Sequence, residues 1–307
     1  MQIEITNRPA APPGPSAMQQ HPYYADALRL MGAQVLALTA RDGARRIAQA
    51  QVVQRRIGPL ALNWLPRGPV WSGDATQAQR CLFLDLLPQQ PGCGGLWIAA
   101  ADAPSQQADC AAAGFRALMT GQYVAELPLG ADDGTRLARQ AVKWRNRLKH
   151  ARKSPLICRH RAFDPRRDGW LLTREAEQRR KHHYSALPAA FTLAYAQAHP
   201  GAARLFEAQL QGQTVAALLI LRHPPTASYH IGWSGADGRR HSAHNLLLWE
   251  ASVWLRQQGC QRLDLGTVDT ETAPGLARFK IGSGAHVRPL GPTMMRFPGR
   301  ARRLRAA

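Results

Sequence analysis

The chain has 307 residues, 45% of them hydrophobic, which is enough to bury a sizeable core and excludes disorder of the whole. Its 40 Lys and Arg against 20 Asp and Glu leave a formal charge of +20, a field that draws phosphate-bearing partners such as RNA, nucleotides or anionic lipid, and that also fits a solvated basic surface. Five cysteines, Cys81, Cys93, Cys110, Cys158 and Cys260, are odd in number and form no C-x-x-C pair, which argues for reduced core thiols and against a disulfide framework or a structural zinc site. The opening MQIEITNRPAAPPGP carries an acid and a proline run where a signal peptide needs an apolar stretch. No window approaches the ~20 apolar residues of a spanning helix, so a cytoplasmic location is expected.

In chain order, a short first strand and the turn-rich Pro9–Pro15 lead to a helix over Pro22–Met31 and a strand over Gln34–Thr39. Ala44–Gln54 and Pro59–Leu65 read as further strands, and Arg41-Asp42-Gly43 supplies turn chemistry before the first of them. A helix fits Thr76–Leu87, closed by Pro88 and the Pro91-Gly92 turn, and a strand fits Leu96–Ala100. Ser105–Ala113 reads as a helix ending at Gly114, followed by a strand near Tyr123–Leu129. The segment Asp132–Lys153 reads as one helix: Leu137, Ala141, Trp144, Leu148 and Ala151 step by three and four along one face, and Asp132 and Asp133 suit its N-terminus. Its other positions carry Arg136, Arg139, Lys143, Arg145, Arg147, Lys149, Arg152 and Lys153, either a solvated face or a ridge turned toward phosphates.

The second half repeats this element order. Ala203–Leu210 and Thr214–Arg222 read as a hairpin about Gln211-Gly212-Gln213, and Ser228–Ser234 as a third strand after the His223-Pro224-Pro225 turn. Ala243–Gln258 is a long amphipathic helix with Gly259 at its C-cap, Arg262–Gly266 a strand, Pro274–Phe279 a helical turn and His286–Leu290 a last strand. Two α/β domains fit this order better than one.

Three pieces within Tyr229–Gly284 occur together in order and spacing: the helix run Leu247-Leu248-Trp249-Glu250, the Gly259–Gly266 strand GCQRLDLG, and the Gly275–Gly282 segment GLARFKIG. With Pro66-Arg67-Gly68-Pro69-Val70 and the basic Lys143–Leu148 helix, they make the chain resemble the Fem-type (FemAB-like) aminoacyltransferases and the related GNAT-fold N-acyltransferases. The resemblance implies an α/β protein with mixed (α+β) sheets, built as two tandem GNAT-like domains facing a shared cleft. It divides the chain into an N-terminal domain over 1–130, a catalytic domain over 131–285 opened by the basic helix 132–153, and a last strand and basic tail over 286–307 that can pack on the first domain. It implies transfer of an aminoacyl or acyl group to an amine, with a cell-wall precursor among the acceptors to be considered. The co-substrate is then aminoacyl-tRNA or acyl-CoA, with no cofactor tightly bound. The chain departs from the acetyl-CoA pattern where a glycine-rich turn normally offers N–H groups to pyrophosphate: there it reads Arg239-Arg240-His241-Ser242-Ala243-His244.

Amine attack on an ester or thioester needs a proton acceptor and positive charge or N–H donors for the oxyanion. The resemblance places Lys280 beside the transferred acyl group, to stabilise the oxyanion or hold the donor's terminal phosphate. Asp264 can orient or deprotonate the amine, and equally fits a structural hydrogen bond on an alternating strand. The donor is expected against Trp233, Ser234, Arg239, Arg240, His241, Gly266 and Thr267, in a gap between splayed parallel strands. Arg67 and Tyr229 are acceptor-binding candidates; of Tyr229 and its neighbour His230 only one can point to the cleft. Arg145 and Lys149 are the nucleic-acid or phosphate candidates. His241 and His244 share a helical spacing without a third ligand, so no metal is expected, and His182-His183 reads as part of a basic patch. A different class, a non-catalytic RNA-binding or assembly protein on the same scaffold, is the competing reading.

Overall fold

The computed structural model describes residues 1–6, 10–12, 14–182 and 184–298, so parts of the Pro9–Pro15 turn, His183 and the basic tail lie outside the described residues. Two compact units result: Met1–Gln122 with Pro289–Ala307, and Tyr123–Arg288. The first contains β1 (Gln2–Thr6), α1 (Pro22–Leu30), β2 (Gln34–Asp42), β3 (Arg45–Ile57), β4 (Leu60–Leu65), β5 (Val70–Trp71), α2 (Gln77–Leu86), β6 (Leu96–Ala100), α3 (Gln106–Ala112) and β7 (Arg116–Met119). The second contains β8 (Tyr123–Pro128), α4 (Asp133–Ala138), α5 (Val142–Lys153), β9 (Ile157–Ala162), α6 (Pro165–His182), α7 (Ala189–Ala198), β10 (Ala203–Leu210), β11 (Gln213–His223), β12 (Thr226–Ser234), α8 (Ala236–Arg240), α9 (Ala243–Gln257), β13 (Arg262–Val268), α10 (Pro274–Gly282) and β14 (His286–Pro289). The chain then returns to the first sheet as β15 (Thr293–Arg296).

Local chemistry accounts for several of these boundaries. Pro22 starts α1 with its ring already at helical φ, and the His21 imidazole accepts the Tyr23 N–H. Thr76 and Gln79 form a reciprocal capping box at the start of α2. Gly43 turns β2 into β3, and Gly259 follows the end of α9, both at positive φ that glycine adopts without strain.

The first sheet runs β1-β2-β3-β4-β6-β15-β7, with β5 paired to β3. Its β4–β6 pair is parallel from Leu62↔Leu96 to Leu65↔Ala99, and the Gly68 N–H continues the contact to the Ala100 carbonyl. Leu38, Ile47, Ala50, Val52, Phe83, Leu84, Trp97 and Met294 fill one core, under α2 and α3. The second sheet runs β14-β8-β13-β12-β11-β10-β9. Every residue of Val215–Leu221 is buried, as a central strand covered on both faces requires. One face carries Phe206, Leu218 and Ile220 against Trp144 and Leu148 of α5 and Leu247 and Leu255 of α9.

Several expectations change. The helix read over Asp132–Lys153 is two helices, because the Ala141 N–H bonds to the Gly282 carbonyl instead of continuing the i→i−4 ladder. Ala141 is therefore exposed, and Arg136, expected on the basic face, is buried against Ser252 and the Trp249 ring. The strand at Tyr123 belongs to the second sheet, where Leu127 pairs with Leu263 and Ala125 is core, so the first unit ends at Gln122 rather than 130. The strand at His286 stays in the second sheet. The one that joins the first is β15, where buried Met294 pairs with Ala99 and Ala117. The segments β6–α3–β7–β8 and β13–α10–β14–β15 thus run in parallel order, each giving its last strand to the other sheet.

Candidate active site

The second sheet opens along its parallel pair. β12 and β13 are in register at Thr226↔Arg262, Ala227↔Leu263 and Ser228↔Asp264, and among the described residues that pairing goes no further. Each strand bends at that point. A bulge places Leu219 opposite Ile231 but Ile220 opposite Tyr229, and β13 shifts register against β8 between Asp264 and Thr267. Gly266 takes a left-handed φ of 78°, and the Asp264 carboxylate accepts its N–H at 2.7 Å. A side chain there would meet the strain of a positive φ. Beyond Ser228 and Asp264, toward Trp233 and Gly266, the two strands are thus no longer paired with each other among the described residues. In the first sheet the parallel pair β4 and β6 instead stays joined to its C-terminal end, through Leu65↔Ala99 and the Gly68 N–H to the Ala100 carbonyl.

Lys280, in the last turn of α10, reaches the end of this pairing. Its ammonium donates to the Thr267 carbonyl at 2.7 Å and lies 3.7 Å from where a Cβ on Gly266 would stand. The side chain is buried, and burial lowers its pKa to about 8 while the nearby Asp264 charge opposes the shift. A half-desolvated ammonium beside unpaired strand edges is a preorganised positive charge for an oxyanion. Asp264 is itself buried and engaged with Gly266, so the structure gives it the work of shaping the turn and holding the charge on Lys280.

Tyr229 is the first residue beyond the last β12–β13 pair. Its hydroxyl lies 2.7 Å from His244 Nε2, in the first turn of α9, and crosses over Gly232, where a Cβ would sit 1.8 Å from it. Burial lowers the His244 pKa to about 4 and raises that of the Tyr229 phenol, so the pair is neutral at pH 7. The His244 ring packs on Phe279, whose carbonyl accepts the Trp144 indole N–H at 3.1 Å, so a chain of contacts joins α9, α10 and α5 behind Lys280. His230 points the other way, to the Thr192 hydroxyl at 2.7 Å, and is also held near pKa 4 by burial. The alternation expected of these neighbours is present. The role of His244 beside Tyr229 is not legible in the sequence, because the bulge that brings Tyr229 onto α9 leaves no periodic trace.

The other candidates are distributed as follows. Trp233 meets Trp170 of α6 edge-on at 5.3 Å. The Ser234 hydroxyl is buried over Gly238, and the Ser234 carbonyl accepts from Arg239 at 2.6 Å. Arg240 is exposed and pairs with Asp237 at 3.4 Å, and His241 stacks on His150. Thr267 contributes its carbonyl to Lys280. Arg145 spends part of its guanidinium on the last carbonyls of α4, at 3.5 Å, while Lys149 is exposed. Arg67 lies in the first unit at a left-handed φ of 46°, and its Nε donates to Asp102 at 2.8 Å. His241 and His244 engage different partners, and no group of three metal-ligating side chains occurs among the described residues.

Residues 137–280 match the family described as an acetyltransferase (GNAT) domain, a stretch that runs from α4 to Lys280. The search of curated proteins found no match. Among solved structures, FemX superposes with a TM-score of 0.75 at 14% identity, with 92% of each chain covered. L-PGS from Bacillus licheniformis gives 0.54 at 13% identity, covering 93% of this chain and 88% of that one. A tandem GNAT protein from the clavulanic acid biosynthesis pathway gives 0.55 at 14% identity, covering 98% and 100%. At these identities the likeness shows the fold, two tandem GNAT-like domains with mixed sheets. Together with the matched domain it supports an acyltransferase.

Proposed function

We propose that the chain transfers an activated aminoacyl or acyl group to an amine, with aminoacyl-tRNA ahead of an acyl-CoA thioester as donor. The observation that carries this is the open β12–β13 gap with the buried Lys280 ammonium at its edge. In the reaction the amine nitrogen attacks the acyl carbonyl, the C–O or C–S bond to the donor breaks, and the proton lost by the amine is balanced by the one taken up by the departing oxygen or sulfur. Lys280 stabilises the oxyanion, and holding both reactants in one gap supplies further acceleration. Asp264 maintains the turn and the ammonium. Trp233, Ser234 and Thr267 line the donor path, and Tyr229 stands on the acceptor side, where the amine of an acceptor such as a cell-wall precursor would bind.

The preference for a charged tRNA rests on the start of α9. It is preceded by α8 with Arg239 and Arg240, and Ser242 stands at its N-cap in a left-handed conformation without a side-chain cap, so the glycine-rich cradle for pyrophosphate is replaced. No tightly bound cofactor is needed for this chemistry, and none of the described helices is long and apolar enough to cross a membrane.

Thermal-shift comparison of charged tRNA, acetyl-CoA and longer acyl-CoA identifies the donor, since a ligand of the native state raises the melting temperature by mass action. With that donor, Lys280→Met lowers the single-turnover rate by roughly one to three orders of magnitude, the range for losing one oxyanion donor. Wild-type turnover falls as pH rises through about 8, where the ammonium is lost. Wild-type rate and donor affinity in Lys280→Met would remove Lys280 from the mechanism, whereas RNA binding without acyl transfer from any of these donors would favour the non-catalytic reading.

A further inference from the structure

A second group of cations lies at the opposite end of α9 from the gap. Trp254 is ten residues beyond His244, which at 1.5 Å per residue is about 15 Å along the helix. Its indole carries two guanidiniums, those of Arg204 at 4.9 Å and Arg222 at 5.0 Å from the ring centroid. His160 packs beside the same ring at 5.4 Å, and its Nδ1 is 2.8 Å from Arg204 Nη2. Three strands and one helix therefore converge three basic side chains on one aromatic.

What sets the cluster apart is that no carboxylate pairs with it among the described residues. Arg204 engages an imidazole and an indole, and Arg222 is placed near the Cys260 thiol. The Arg222 Nε is buried and makes no hydrogen bond. The carboxylate one turn earlier on α9, Glu250, interacts with Arg152 instead. Burial, and secondarily the neighbouring Arg222 charge, lower the Arg204 pKa. Elsewhere the arginines that reach buried acids have carboxylate partners, as in Arg161 with Asp168 at 2.8 Å and Arg80 with Asp109 at 2.6 Å. Arg204 and Arg222 are only half-buried and His160 is exposed, so a solute can reach them.

We infer that Arg204, Arg222 and His160 form a phosphate-binding site on the Trp254 face of the second unit, separate from the acyl-transfer gap. Two planar forks and an imidazole held around a rigid ring suit phosphate oxygens, and a bound phosphate supplies the negative charge that the cluster lacks. The inference stands whether or not the gap performs acyl transfer, since it rests on the cluster alone.

The test is phosphate binding followed by tryptophan fluorescence and thermal melting, in wild type, Arg204→Gln, Arg222→Gln and Trp254→Phe. Inorganic phosphate and a short single-stranded RNA are the probes. Wild type is expected to change emission on binding, with the change absent in Trp254→Phe and affinity at least tenfold weaker in either glutamine variant. Without ligand, the glutamine variants should melt no lower than wild type, because each removes one of two repelling charges. Binding of both probes marks a site for a single phosphate group, and binding of RNA alone marks a phosphodiester reader. Equal response of wild type and both glutamine variants to both probes would overturn the inference, as would a lower melting temperature of the unliganded variants, which marks a structural stack. General salting-out by phosphate raises all variants alike and cancels in the comparison.

Discussion

At the scale of single residues, Lys280 makes the clearest case that a buried charged group costs stability. Its native pKa near 8 lies below the ordinary 10.5, so between those values the unfolded chain holds a proton the native one has released. Stability therefore rises with pH from about 8 to 10.5, and the penalty is fully present below 8. A shift of that size corresponds to a penalty on the order of 3 kcal/mol, partly offset by the Thr267 hydrogen bond. Lys280→Met should melt no lower than wild type at pH 7 and lose the rise in stability above pH 8. Denaturant unfolding at pH 7 and pH 10 measures both, and a variant that keeps the wild-type slope would show that Lys280 titrates normally. Gly232 is the second informative residue. A Cβ there would collide with the Tyr229 hydroxyl at 1.8 Å, so Gly232→Ala should break the Tyr229–His244 bond and destabilise by about 1–3 kcal/mol, as overpacking does. An unchanged melting temperature would mean that Tyr229 swings aside freely.

At the scale of elements, α5 shows how a correct pattern can be placed in the wrong frame. Trp144, Leu148 and Ala151 are buried as their spacing requires, but the helix begins at Val142 because Gly282 comes close enough to take the Ala141 N–H. Gly282 is suited to that approach, as its Cβ would stand 3.1 Å from the Trp144 ring. Arg147, Lys149, Arg152 and Lys153 remain on the exposed side. If this side binds tRNA, Arg145→Glu with Lys149→Glu should reduce the slope of log affinity against log salt by about 1–2, roughly 0.7–0.9 for each phosphate left without its cation. Filter binding at several salt concentrations reads the slope, and an unchanged value returns α5 to a solvated face. Because Arg145 also reaches the end of α4, the double variant's melting temperature must be measured alongside.

At the scale of the whole molecule, the exchange of last strands makes the two units unequal in sequence. All strands of the second sheet lie within residues 123–289, a continuous segment, whereas the first sheet needs β15 from beyond them, inserted between β6 and β7. The fragment 123–289 should therefore unfold cooperatively by itself. The fragment 1–122 should not, because β6 and β7 lose the strand between them and expose their edges. Adding a peptide covering residues 289–298 should restore cooperative unfolding of 1–122. A sharp melt of 1–122 alone would show that β15 is dispensable.

Much of this protein follows from the sequence alone. Turn residues around Gln211-Gly212-Gln213 mark the hairpin of β10 and β11, caps and glycines mark the ends of α2 and α9, and the linked motifs around Asp264 and Lys280 carry the resemblance to the GNAT fold. These features are local, and each residue carries its own signal in propensity, spacing or turn chemistry. The sheet that β8 and β15 join, the break before α5, the burial of Arg136, the meeting of Tyr229 with His244 and the cation cluster on Trp254 were decided by tertiary structure. Each depends on partners between 15 and about 200 positions away, such as Met294 with Ala99 or Arg136 with Ser252. Pairing over such distances is selected by the burial and hydrogen bonding of the assembled fold, which no short stretch of chain encodes.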